Sequence, residues 1–129
     1  MLKTGILNPE INALLGRVRH TNTLVIADRG FPFWRGIETV DISLVDGIPA
    51  VLDVIRAIRP NFVIGRAWMA EEFKRENTGV VRDAFAVALG GIPVEFEPHV
   101  AFKRRVPAAI GLIRTGDTIQ YANVILESA

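Results

Sequence analysis

Apolar positions along the chain follow two different periods. Over residues 9–18, Ile11, Leu14, Leu15 and Val18 share one side of a 3.6-residue repeat. Asn8 and Pro9 supply the N-cap and first-turn proline that open a helix there. The run "TLVIA" at 23–27 is short, continuous and rich in β-branched residues, which predicts a strand covered on both faces, as in a parallel sheet. Glycines and a proline break both periods in "RGFPFWRG", 29–36, and predict a loop. "IETVDISL", 37–44, alternates as a second strand does, and "DGIP" turns the chain. Helical spacing returns in 50–58 at Val51, Val54, Ile55 and Ile58 and stops at Pro60 and Asn61. A strand over 62–68, a helix over 81–89 stopped by Gly90 and Gly91, and a short strand over 92–97 follow. One or two helical turns at 99–106 lead to the last strands, 109–116 and 121–128. This alternation predicts an α/β fold: a single layered domain, 1–129, with a mostly parallel or mixed central sheet flanked by helices.

Composition adds one expectation to this pattern and removes several classes. Half of the 129 residues are apolar, more than a small monomer easily hides, so a buried subunit interface and a homo-oligomer are expected. The net charge is only +1, and the longest basic run is "KRR" at 103–105, a solvated face rather than a nucleic-acid footprint. With no cysteine, disulfides and thiolate chemistry are excluded, in keeping with a reducing cytoplasm. The start, "MLKTGILNPEIN", has no long apolar segment after its lysine, so no signal peptide is expected. No apolar run approaches the ~20 residues that span a bilayer.

Candidate chemistry gathers around few residues. Only two histidines occur. His20 stands between the first helix and the first strand, where a histidine can simply answer a helix dipole. Asp28 lies at the C-terminal end of "TLVIA", the edge of an open α/β sheet where ligands bind, although a carboxylate there can also just cap a turn. His99 and Lys103 are four apart and share a face of any helical turn. In "RTGDTIQYAN", 114–123, a turn at Gly116 and Asp117 is followed by Tyr121, Ala122 and Asn123. A phenol and an amide there both donate and accept hydrogen bonds, as sugar hydroxyls require. Phosphate-loop, dinucleotide and nucleophile-elbow motifs are absent, and neither histidine has a second ligand at metal spacing, so no metal is expected.

Four segments, taken together and in order, resemble the D-ribose pyranase / L-fucose mutarotase family. They are "GILNPEINALLGRVRHTNTLVIADRGFP", "AEEFK" at 70–74, "HVAFK" at 99–103 and "IRTGDTIQYANVIL" at 113–126. The ribose branch is the better fit, on "AEE" before a lysine and "RTG" followed by "YAN". The resemblance implies a cofactor-free sugar-ring isomerase. Such an enzyme interconverts pyranose and furanose forms or anomers of a free monosaccharide, D-ribose first among them. Its runner-up readings are a monosaccharide-binding module with little turnover and a mutarotase for L-fucose or another aldose. By the resemblance, His20 is the general acid. Asp28, His99, Tyr121, Ala122 and Asn123 bind sugar, and Lys103 lies near the pocket. Pentameric rings paired into a decamer, with sites near subunit contacts, are implied too. The chain departs from the family's pattern in the loop 29–36, where Arg29, Phe31, Phe33 and Trp34 are bulky, in the "TN" after His20, and at Gln120.

Ring opening takes a proton from the anomeric hydroxyl and delivers one to the ring oxygen, which asks for an imidazole titrating near working pH and for no metal. Asp28 either orients that imidazole or holds a sugar hydroxyl. Five strand residues span ~17 Å, so His20 and Asp28 meet only through a bend or a neighbouring subunit.

Overall fold

The computed structural model describes residues 1–129. Helix α1 (Pro9–Arg17) begins where Asn8 caps it, its side chain accepting the Ile11 amide at 2.9 Å. Strand β1 (Thr23–Ala27) follows, then β2 (Glu38–Asp41), α2 (Val51–Ile58), β3 (Ile64–Ala70), α3 (Glu71–Glu76) and α4 (Gly79–Leu89). The chain closes with β4 (Val94–Glu97), α5 (His99–Arg105), β5 (Gly111–Arg114) and β6 (Val124–Ser128). No helix is long and apolar enough to cross a membrane.

One six-stranded sheet runs β2-β5-β1-β6-β3-β4. β1 pairs in parallel with β5, β5 with β2 and β3 with β4, while β6 is antiparallel to both β1 and β3. Five strands therefore point one way and β6 alone opposes them, the mixed alternative of the expected α/β sheet. Successive residues of a strand face opposite sides. Leu24 and Ile26 of β1, with Val124 and Leu126 of β6, join the core under α1, α2 and α4. Val25, Ala27 and Ile125 join a smaller core with Phe31, Phe102 and Val106 on the other side. Both faces of β1 are covered, which is why its sequence shows no alternation.

Differences from the sequence reading are local. The strand expected over 37–44 stops at Asp41, whose carboxylate accepts the Ser43 amide at 2.9 Å and turns the chain out of the sheet. The strand expected over 62–68 lies instead at Ile64–Ala70, and α3 is a helix that the apolar pattern does not predict. α4 starts two residues early because Thr78 caps it, and it ends at Gly90, which takes the left-handed φ of 53°. The final strand begins at Val124, so Tyr121, Ala122 and Asn123 lie in the turn before it, Tyr121 at φ 56°.

Gly116 stands after β5, where its amide donates to the Pro49 carbonyl at 2.9 Å. A Cβ there would lie 2.7 Å from the Ile48 carbonyl oxygen and closer still to that of Val45, both backbone atoms. Gly116→Ala is therefore expected to cost about 2–3 kcal/mol, as overpacking against fixed atoms does. Denaturant unfolding checks this, and an unchanged midpoint would contradict it.

Candidate active site

The C-terminal ends of the parallel strands and the N-terminal end of β6 meet along one edge of the sheet. That is the edge where open α/β sheets bind ligands. Asp28 leaves β1 there and Asn123 enters β6. The two form a closed pair. The Asp28 amide donates to Asn123 Oδ1 at 2.8 Å, and Asn123 Nδ2 donates to Asp28 Oδ2 at 3.0 Å. The pairing fixes which way the Asn123 amide points, since one end must accept and the other donate. Asn123 is 2% exposed. The remaining Asp28 oxygen accepts the Gly30 amide at 2.9 Å and shapes the turn that follows. Burial pushes the Asp28 carboxyl above its ordinary value, outweighing the hydrogen bonds from Gly30 and Asn123 that pull it down.

His99 reaches the same edge as the first residue of α5. Pro98 offers that helix no side-chain cap, and Glu72 of α3 supplies one instead, its carboxylate accepting the His99 amide at 2.8 Å. The imidazole meets the Tyr121 ring edge-on at 5.0 Å between centroids and packs beside Phe31 and Phe102. Its Nε2 is buried with no hydrogen-bond partner in the chain. Burial lowers the His99 pKa, and the nearby charge of Lys103 lowers it further, which favours the neutral ring. A neutral imidazole with an unpaired buried nitrogen invites a ligand hydroxyl.

Asp28, Gly30, Phe31, Pro32, His99, Gln120, Tyr121 and Asn123 enclose an open cavity of about 320 Å³. A larger one of about 380 Å³ lies among α3, α4, β3 and β4, but its lining is chiefly apolar and includes none of these residues. The smaller cavity is the chemical one, because its polar groups converge.

Of the residues singled out from the sequence, Asp28, His99, Tyr121 and Asn123 come together here. Lys103 stands one turn along α5 from His99, half-buried, and acts on that ring through its charge. Ala122 is fully buried in the main core and does not line the cavity. His20 is exposed in the turn before β1, at the opposite edge of the sheet. The length of β1, ~17 Å, separates it from Asp28, so a single chain does not unite the two.

The sequence pattern puts Asp117 in a turn and marks Gln120 only as a departure from the family, and it gives neither of them, nor Glu72, a place at the site. Asp117 caps α2 from 66 residues away, accepting the Val51 amide at 2.8 Å. "AEEFK" was a visible motif, yet only the fold reveals that Glu72 meets His99. No local signal announces the Asp117 contact. The loop 29–36 divides by residue: Phe31 is buried against Phe102 and lines the cavity, Trp34 packs behind it, and Phe33 is 74% exposed.

The model of the RbsD / FucU transport protein family matches residues 1–129. The chain is 42% identical to a D-ribose pyranase of Geobacillus kaustophilus over 99% of its own length and 93% of that protein. It is 41% identical to a D-ribose pyranase of Chromobacterium violaceum over 99% and 97%. The fold is similar to that of Bacillus subtilis RbsD complexed with D-ribose, with a TM-score of 0.92 at 32% identity, covering 100% of this chain and 98% of that one. It also resembles, in fold alone, the fucose mutarotase of Streptococcus pneumoniae in complex with L-fucose, with a TM-score of 0.84 at 17% identity over 99% and 98%. With the whole chain covered and its relatives matched nearly end to end, the protein belongs to the RbsD / FucU family.

Proposed function

We propose that the protein interconverts the pyranose and furanose forms of D-ribose by acid–base opening and reclosure of the sugar ring. The observation that carries this reading is the cavity itself. An Asn123-oriented carboxylate, a phenol and an unpaired neutral imidazole nitrogen converge on it. Hydroxyl-rich ligands satisfy such a set, each hydroxyl donating once and accepting twice. Asp28, made more basic by burial, and neutral His99 are the groups suited to accept hydroxyl protons. Delivery of a proton to the ring oxygen falls to His20, which reaches the cavity from a neighbouring subunit. The assembly is then a homo-oligomer of pentameric rings paired into a decamer, working in the cytoplasm. Burial, helped by the charge of Lys103, disfavours the charged form of His99, and Ala122 holds Tyr121 and Asn123 in place by anchoring the turn between them in the core.

Saturation-transfer NMR on equilibrated D-ribose tests the reading. Exchange between ring forms above the uncatalysed rate supports it, and ribose binding without exchange would leave a sugar-binding module. The aromatic loop bears on the alternative of another aldose, because Trp34 backs Phe31 at 6.3 Å between ring centroids and Phe31 is a cavity wall. Trp34→Ala is expected to reorder relative exchange rates across a panel of aldoses while sedimentation shows an intact assembly. A dissociated assembly with the ranking unchanged would assign the loop to a subunit interface instead.

A further inference from the structure

We propose that Arg114 is a positioning residue that holds the loop 28–32 in place as one wall of the cavity. The inference rests on reading that cavity as a monosaccharide site. Arg114 is the last residue of β5 and stands in register with Ala27 of β1 and Asp41 of β2. It is thus fixed in the parallel part of the sheet. Its guanidinium leaves the sheet edge and meets three carbonyls of one loop. Nη1 donates to Asp28 O at 3.3 Å and to Arg29 O at 3.4 Å, and Nη2 donates to Pro32 O at 3.1 Å. Four residues of that short segment, Asp28, Gly30, Phe31 and Pro32, line the cavity.

Other ties hold the loop as far as Phe31, whose ring is buried against Phe102 and whose amide donates to the Asp28 carbonyl at 3.4 Å. Gly30 donates to the Asp28 carboxylate, and Arg29 donates its amide to the Asp117 carbonyl at 3.1 Å. Pro32 has no amide hydrogen to give, so the bond from Arg114 to its carbonyl closes the far end. Only a planar fork with several donors can span carbonyls four residues apart, and an ammonium cannot. Arg114 does not line the cavity, and its strand partner across the sheet is Asp41, whose carboxyl the Ser43 hydroxyl holds below the ordinary value with a smaller contribution from the Arg114 charge. It is therefore placed to shape the wall rather than to touch the sugar.

His99, Tyr121 and Asn123 stand on other elements, and the Asp28 carboxylate keeps its own bond from Asn123, so loosening the wall affects binding more than turnover. Arg114→Ala is expected to raise KM for D-ribose in the saturation-transfer assay about tenfold, the loss of roughly one charge-assisted hydrogen bond, with kcat within about threefold of wild type. Amide hydrogen exchange at Gly30 and Phe31 is expected to quicken in the same variant. Millimolar ethylguanidinium should lower KM again, which a general loss of stability would not allow. Arg114→Lys, which keeps the charge but not the fork, should share the raised KM, and it carries the test should Arg114→Ala not fold. An unchanged KM, or Gly30 and Phe31 amides as slow as in wild type, overturns the proposal. If wild-type protein does not exchange ribose at all, the reading of the site has failed. The clamp then stands or falls on amide exchange alone.

Discussion

His20→Ala is expected to lower ribose ring exchange by roughly 10²–10⁴-fold, the usual worth of a positioned acid–base group, with the unfolding midpoint and assembly size unchanged. The separation of these effects follows from the turn that carries the histidine. Asn22 closes it, donating its amide to the Arg19 carbonyl at 3.0 Å and accepting the Arg19 amide at 2.9 Å. Thr21, at φ 66°, donates its hydroxyl to the His20 carbonyl at 2.6 Å. None of these bonds uses the imidazole, which is exposed, so removing it leaves the turn standing. Near-wild-type exchange in the variant would sink the assignment. Because β1 lies between His20 and the cavity of its own chain, a second measurement is decisive. Two inactive variants, His20→Ala and Asp28→Asn, mixed under conditions that let subunits exchange, should recover part of the activity. Each mixed contact can then pair an intact histidine with an intact carboxylate. Recovery no greater than either variant alone would place both groups in one chain's site.

Asn123→Ala should damage both stability and activity. The substitution leaves the Asp28 amide without its acceptor and one carboxylate oxygen without its donor, in a place almost closed to water. Orphaning such groups costs about 1–3 kcal/mol in unfolding free energy. Exchange should fall by about 10²-fold or more, because the carboxylate loses the partner that sets its direction toward substrate. Asn123→Asp separates the two consequences. It keeps the size and the acceptor but sets a second carboxylate beside Asp28. That should push the Asp28 pKa further above its already raised position and shift the acid limb of the pH–rate profile upward. A pH profile identical to wild type in Asn123→Asp would show that the Asp28–Asn123 contact does not govern the reaction.

Much of this fold is written locally. Asn8 and Pro9 announce α1, and "TLVIA" gives the limits of β1, because in each case the deciding signal lies within a few residues. Where the expected bounds move, a side chain acts outside the hydrophobic pattern, as Asp41 does in ending β2 and Thr78 in starting α4. α3 escaped notice because six residues hold too few apolar positions to display a period, and Phe73 alone of them is buried. The site is a different case. Asp28 and Asn123 are 95 residues apart, and Glu72 and His99 are 27 apart. Neither contact follows from periodicity. Family resemblance assembled Asp28, His99, Tyr121 and Asn123 as one set, and strand order supplies the physical reason. Ala122, which the same resemblance sets among the sugar contacts, keeps its methyl group in the core between them.

The lone antiparallel strand also says something about how the molecule reaches this state. Without β6, the sheet consists of two separate parallel blocks, β2-β5-β1 and β3-β4, each with a raw edge of unpaired amides and carbonyls. β6 fills the gap by pairing Leu24 with Leu126 on one side and Ala67 with Leu126 on the other, contacts across 102 and 59 residues. Closing loops of that length has to precede the reward of the bonds, which makes the step slow for a chain of this size. Asn123 enters the site with that same strand. Refolding followed by two signals should thus show helix content recovering first, with ribose exchange returning only in the last phase, together with protection of the β1 amides.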